Sequence, residues 1–215
     1  MKKLILLLVL ILCMAVGAKE LSESEKKEVL KQFVVFQEAI KNKDDKVLAS
    51  MIDFSGKSIE EEVSIVFLLE VKGEKLEGIS FGTPLTKKII SSNIGRISES
   101  LKDVTLIEVE PNTLKIKDYF KDGATDAEKK RKYIYDEEEQ GYYYKDKNNK
   151  KVYLSSSRIW DEEISTGFMD ENFIVYSTIV PNKLTPRMPA GEGGMVFRFT
   201  FKDGKLKLRA MYIED

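Results

Sequence analysis

The chain has 215 residues, of which 42% are hydrophobic and 33% charged, so it contains enough apolar side chains to build a core. Lys and Arg number 35 and Asp and Glu 36, and the resulting net charge of -1 argues against a nucleic-acid-binding protein. The absence of His and the single Cys exclude a Ser-His-Asp triad and the usual zinc sites. We therefore expect no metal, no cofactor and no nucleic-acid partner.

The N-terminus has the layout of a secretory signal peptide. Lys2 and Lys3 precede the apolar run Leu4–Met14, and small residues follow it. The pattern predicts cleavage between Ala18 and Lys19, which divides the chain into a signal peptide over 1–18 and one domain over 19–215. The run is too short to cross a hydrocarbon core of roughly 30 Å, so we expect no permanent membrane span after processing.

Two alternatives remain open for this segment. It could stay attached as an anchor, or Cys13 could be acylated as in bacterial lipoproteins, although Leu12 stands where those sites have a small residue. In the main interpretation Cys13 is removed with the signal peptide. The protein is then periplasmic or secreted and contains no disulfide.

The first half of the mature chain has helical patterns. Ser22 and Glu25 have the spacing of a capping box, and the apolar stripe behind them predicts a helix over 23–41. Asp44 is placed to cap a second, short helix that turns Val47, Leu48, Met51 and Ile52 inward.

Two further helices are predicted before residue 103. Ser58 and Glu61 repeat the capping-box spacing ahead of an apolar stripe, although 63–71 also fits a strand. Thr83-Pro84 is a helix-start signal, and the inner face of that helix consists of Ile90, Ile94, Ile97 and Leu101.

Beyond residue 103 the apolar residues alternate, which predicts antiparallel strands. A hairpin is expected around Pro111-Asn112, then a meander through 133–135, 142–144 and 152–154, and a buried strand over 173–180. Asp203-Gly204 is a two-residue turn that joins the last two strands. Helices followed by strands indicate an α+β fold, with the N-terminal helices packed on a curved antiparallel sheet.

The opening and the closing of the chain resemble the NTF2-like superfamily. The segment Ala39–Leu48, which joins the two N-terminal helices, and the hairpin Phe197–Leu208 are similar to the first and last parts of such domains. The resemblance implies a cone-shaped fold around a pocket. It transfers no catalytic residue, because the Asp–His chemistry of some enzymatic members requires a His that this chain lacks.

Three acidic clusters are the candidates for carboxylate chemistry: Glu60–Glu62, Asp136–Glu139 and Asp161–Glu163. Two carboxylates facing each other across a cleft could hydrolyse a glycosidic bond, and the run 136–139 could also bind Ca²⁺. The simpler interpretation is charge on a solvated face. Ser24 and Lys27 have the spacing of a Ser-x-x-Lys nucleophile, and Gly191–Gly194 is glycine-rich, but both lack the accompanying motif elements.

Aromatic residues are concentrated between 133 and 176, and most of them are tyrosines. They favour strands, and on a sheet they can also line a binding surface. We therefore predict an exported, non-catalytic protein that binds a small ligand or a protein partner through its sheet, with no ligand-binding residue singled out. The alternative is a carboxylate-dependent hydrolase of cell-envelope polymers.

Overall fold

The computed structural model describes residues 20–54, 86–155, 158–187 and 194–214. The helices among them are α1 (Glu23–Asn42), α2 (Asp45–Ser50), α3 (Lys87–Ser92), α4 (Ile94–Ser100), a 3-10 helix (Lys102–Leu106) and α5 (Asp126–Lys129). The strands are β1 (Glu108–Glu110), β2 (Lys115–Lys117), β3 (Tyr119–Lys121), β4 (Ile134–Asp136), β5 (Gly141–Lys145), β6 (Lys151–Tyr153), β7 (Trp160–Met169), β8 (Asn172–Pro181), β9 (Gly194–Lys202) and β10 (Lys205–Glu214). The predicted α+β class is confirmed.

The strands form three antiparallel sheets. The large sheet has the order β10-β9-β8-β7-β3, β4-β5-β6 form a second sheet, and β1-β2 form a hairpin. After α2 the chain adds a short parallel pairing at the β10 edge, where Leu208 N donates to Met51 O at 2.8 Å and Asp53 N donates to Leu208 O at 2.9 Å. The segment that follows α2 therefore pairs with the last strand, β10.

Helices α1 and α2 begin with the expected caps. The Ser22 hydroxyl accepts from Glu25 N at 3.3 Å while the Glu25 carboxylate accepts from Ser22 N at 2.9 Å, which satisfies two N–H groups that a helix start leaves free. The Asp44 carboxylate then accepts from Lys46 N and Val47 N at the start of α2. Both predicted N-terminal helices are confirmed.

The core forms where α1 packs on one face of the large sheet, which we call the inner face. Phe33 meets Phe173 edge-to-face at 4.8 Å between ring centroids, and Phe36 meets Phe199 in the same way at 5.0 Å. All four rings are fully buried. Edge-to-face pairs of this kind stabilise a fold by about 1 kcal/mol beyond the area that they bury.

A buried glutamine fixes the next element against α1. Gln37 donates its amide Nε2 to Val104 O at 2.8 Å and to Ile107 O at 2.9 Å. These carbonyls lie in and just after the 3-10 helix, where backbone acceptors lack partners within the helix. Gln37 therefore holds the 3-10 helix beside α1, a role that the apolar pattern of α1 does not reveal.

The described helices differ from the predicted ones between 86 and 101. Thr86 caps α3, whose first residue is Lys87, and the helix breaks at Asn93 before α4 begins at Ile94. The apolar side predicted for this helical region is still buried, because Ile90, Ile97 and Leu101 are fully buried. The helix predicted after Ser58, and Thr83-Pro84, lie outside the described residues.

The hairpin turns and the meander are confirmed, but residues 102–106, whose apolar alternation predicted the start of the first hairpin, form a 3-10 helix, and β3 and β7 were missed. The acidic run at the start of β7 resembles a turn, and its residues become a strand only because β8 and β3 pair with it on both sides. The polar stretch 121–131 contains α5, a short helix with its own capping box between Thr125 and Glu128.

Replacing Phe33 by Ala should destabilise the protein by about 3–5 kcal/mol, because the change leaves a cavity among buried rings. Urea unfolding followed by tryptophan fluorescence measures this loss. Phe120→Ala is the control, since the side chain of Phe120 is 60% exposed, and it should change the free energy of unfolding by less than about 1 kcal/mol. Equal losses in the two variants would contradict the packing described here.

Candidate ligand-binding cleft

A cleft of about 550 Å³ lies on the inner face, between the 3-10 helix and the end of the sheet that α1 does not cover. Its lining combines aliphatic side chains, hydroxyl groups and charged groups. The lining residues are Lys102, Asp103, Leu106, Lys121, Glu162, Ile164, Ser177, Thr178, Ile179, Gly194 and Met195. The volume is in the range of small-molecule sites in proteins.

The strand register explains how the floor of the cleft is assembled. Ile164 pairs with Ser177, and Ser177 pairs with Met195, so these three side chains form one row across three strands. Lys121 pairs with Glu162, and Glu162 pairs with Ile179, which makes a second row. Side chains directly opposite on paired strands share a face of the sheet, so both rows point into the cleft.

The 3-10 helix provides the wall. Val104 is fully buried and anchors it, while Asp103 and Leu106 border the cleft. The Ser177 hydroxyl donates to the Asp103 carboxylate at 2.9 Å, which ties the wall to the floor. The position of this wall depends on the Gln37 contacts described above.

The charges in the cleft are balanced. Lys121 Nζ lies 2.7 Å from a Glu162 carboxylate oxygen, and this hydrogen bond is the main cause that raises the pKa of Lys121. The pKa of Lys102 is also raised, chiefly by its bond to Glu99, with smaller contributions from Asp103 and Glu162. Two lysines and two carboxylates line the cleft, so its net charge is zero near neutral pH.

Apolar side chains at the cleft are open to solvent. Ile179 is 47% exposed and Leu106 is 40% exposed. The elements that carry them, β8 and the 3-10 helix, place other residues in the core. Covering such surface gains about 25 cal/mol for each Å² removed from water. A ligand with an apolar part therefore gains free energy by binding here.

The predicted cluster Asp161–Glu163 is divided by the strand that it forms. Glu162 points into the cleft, whereas Asp161 and Glu163 belong to the opposite face because side chains alternate along a strand. Asp161 is buried, and its carboxylate accepts from Asn182 Nδ2 at 2.6 Å and from Gly123 N at 2.9 Å. Its role is to hold two loops together.

Gly123 makes this network feasible. A Cβ atom at this position would lie 1.7 Å from Trp160 O, so only glycine permits the loop to approach β7 so closely. Asn182 also donates to Asp122 at 2.9 Å and joins the loop after β8 to the same cluster. Polar bonds thus organise the stretch 121–131.

The second cluster, Asp136–Glu139, is held by cations and a phenol. The Asp136 carboxylate accepts from Lys151 Nζ at 2.7 Å and from the Tyr153 hydroxyl at 2.6 Å, and these two bonds lower its pKa to about 2. Glu137 pairs with Arg187. No group of three potential metal ligands occurs within the described ranges, so the calcium alternative has no geometric support there.

Cations of the same chain lie over three tyrosine rings of the small sheet β4-β5-β6. The guanidinium of Arg187 lies 4.1 Å from the centre of the Tyr135 ring, that of Arg131 4.2 Å from Tyr144, and Lys151 Nζ 4.6 Å from Tyr143. Ring faces occupied in this way are not open for ligand stacking. The aromatic cluster does not contribute to the cleft.

Of the other sequence candidates, Gly194 lines the cleft and Ser24 does not. The Ser24 hydroxyl lies 3.1 Å from the Ser22 hydroxyl at the start of α1, and no hydrogen bond joins Ser24 to Lys27. Glu60–Glu62 and residues 191–193 lie outside the described residues. Conversely, sequence reasoning missed Lys102, Asp103 and Lys121, since nothing in their local patterns links three separate elements.

Comparison of the chain with family models, with curated proteins and with solved structures gave no significant match. Among the described residues, no helix is long and apolar enough to cross a membrane.

Replacing Asp136 by Asn should destabilise the protein at pH 7 and progressively less as the pH falls from about 4 to about 2. The lowered pKa means that the wild-type carboxylate contributes stability above its ordinary value near 3.8 and loses that contribution as it is protonated in the folded state. Urea unfolding at several pH values measures the difference. Glu138→Gln, an exposed change in the same turn, should have no effect at any pH, and a constant loss for Asp136→Asn would contradict the ion-pair explanation.

Proposed function

We propose that this chain is an exported, non-catalytic binding protein that holds a small ligand in the cleft. The ligand has an apolar body and is uncharged or zwitterionic. The observation that carries the proposal is the lining of the cleft, in which exposed aliphatic side chains stand beside ion pairs that already neutralise each other.

The charge balance selects against a ligand with a net charge. A charged group that enters the cleft must give up water, and this cost is recovered only where an unpaired opposite charge receives it. Lys121 and Glu162 already bond to each other, as do Lys102 and Glu99. A neutral polar group can donate to the Ser177 hydroxyl without disrupting either pair.

The hydrolase alternative receives less support. A general acid must keep its proton near neutral pH, which a buried position favours and a neighbouring cation opposes. The side chain of Glu162 is 51% exposed and bonds to Lys121, and Asp103 is half-buried and accepts from Ser177. We therefore place the two carboxylates among the polar groups that orient a ligand.

The NTF2-like relationship and export through a signal peptide belong to the same proposal. The resemblance implies a pocket enclosed by the fold, and the cleft between the 3-10 helix and the antiparallel sheet supports this part of the proposal. The sequence Lys2–Ala18 supports export.

Expression of the full-length chain in a bacterium tests the export proposal. The protein recovered outside the cytoplasm should begin at Lys19, as intact-mass measurement will reveal, and Ala18→Glu should block this processing because a small residue is needed before the cut. Lys19→Gln is the control and should be processed normally. A product that retains Met1, or an acyl group on Cys13, would contradict the prediction.

Binding in the cleft can be measured by thermal shift with octyl glucoside, nonanoate and octylammonium, each of which carries an eight-carbon alkyl chain. Only the neutral glucoside should raise the melting temperature strongly, with a stabilisation of about 3 kcal/mol at a hundredfold excess over Kd. Ile179→Glu should abolish the shift, because it places a charge among the aliphatic side chains of the cleft.

Met169→Glu is the matched control for this experiment. Met169 is 55% exposed at the other end of the β7-β8 hairpin and does not line the cleft, so the variant should keep the response of the wild-type protein. Equal losses in the two variants, or a stronger response to either charged compound, would refute the proposed ligand class.

A further inference from the structure

The last hairpin places a group of cations on the face of the large sheet that points away from α1, which we call the outer face. Between Arg198 and Arg209 the chain has five basic residues and one acidic residue, although its net charge is -1. The hairpin therefore carries a local net charge of +4 (five basic residues against one acidic residue).

Strand alternation brings the lysines to one side. Lys202 pairs with Lys205 across the turn, and Thr200 pairs with Lys207, so all four side chains share the outer face. A bulge between Leu208 and Ala210 adds Arg209 to the same region.

A recess of about 260 Å³ lies between these side chains. Its lining contains the four cations Lys202, Lys205, Lys207 and Arg209, the hydroxyl-bearing Thr200, and two carboxylates, Asp53 and Asp203. Its net charge is positive. The inner-face cleft, by contrast, has equal numbers of positive and negative groups.

The three lysines of the recess lack acidic partners among the described residues. Some lysines elsewhere do pair with carboxylates, as Lys117 does with Glu108 at 2.9 Å and Lys129 with Asp122 at 3.0 Å. Within the described part of the chain, Lys202, Lys205 and Lys207 form no ion pair. Their ammonium groups are available to an external anion.

The recess is also held in position. Gln32 of α1 donates to Gly204 O at 2.8 Å and accepts from Leu206 N at 2.7 Å, which fastens the turn between the lysines to the main helix. At the floor, the buried Thr200 hydroxyl donates to the Asn172 side chain at 2.8 Å. A site whose backbone is already ordered loses less conformational entropy when a ligand binds.

We propose that this recess binds the phosphate group of an anionic ligand. Ammonium groups on adjacent strands can surround the phosphate oxygens with charge-assisted hydrogen bonds. The site lies on the opposite side of the sheet from the cleft, so one protein can hold a phosphate and the cleft ligand together. It does not depend on the function proposed above.

The test compares a soluble and a membrane-bound phosphate. Glycerol phosphate is titrated into the protein while amide NMR signals are recorded, and co-sedimentation is measured with phosphatidylcholine vesicles that contain or lack phosphatidylglycerol. We expect either that the amide signals of residues in the recess shift while the others do not, or that the protein co-sediments only with the vesicles that contain phosphatidylglycerol. The first result identifies a soluble phosphate ligand, and the second a lipid headgroup.

Two triple variants and a control localise the binding. Changing Lys202, Lys205 and Lys207 to Gln should weaken it roughly fivefold for each lysine, and about 100-fold in total, whereas changing the same residues to Arg should preserve it. The control changes Lys145, Lys147 and Lys150 to Gln, which removes the same charge from another exposed hairpin. Absence of binding in both arms, or an equal loss in the control, would overturn the proposal.

Discussion

The edge-to-face contacts between α1 and the large sheet decide the rest of the architecture. Phe33 and Phe36 of α1 meet Phe173 and Phe199 in the middle of the sheet, and α1 does not line the cleft at the other end of β8. The uncovered end, where Ser177 and Ile179 follow the buried part of β8, becomes the floor of the cleft. Gln37 on the same helix places the wall, because a buried amide must bond to the carbonyl groups that the 3-10 helix leaves open.

The two faces of the large sheet have different electrostatic character because side chains alternate along each strand. On β9 and β10 the inner positions are occupied by residues such as Phe199 and Leu208, and the outer positions by Lys202 and Lys207. A chain with almost no net charge thereby gains a neutral cleft on one side and a positive recess on the other. Surfaces that differ in this way favour chemically different partners.

The acidic runs show why neighbours in sequence need not act together. Asp161, Glu162 and Glu163 are consecutive, yet one joins a buried network, one lines the cleft and one lies on the outer face. Asp136 and its neighbours are paired with Lys151 and Arg187, which are distant in sequence. The tyrosines behave similarly, because cations from other segments cover their rings and give the small sheet its packing.

Local sequence patterns were sufficient to predict the elements that are specified by a few neighbouring residues. The capping box of Ser22 and Glu25, the apolar stripe of α1, the Asp203-Gly204 hairpin and the α+β class all follow from such signals. The strand β7, the contacts of Gln37 and the meeting of Lys121, Asp103 and Ile179 in one cleft were decided only by the tertiary structure. Each of these depends on partners tens of residues away, whose positions are fixed by sheet register and core packing rather than by local propensity.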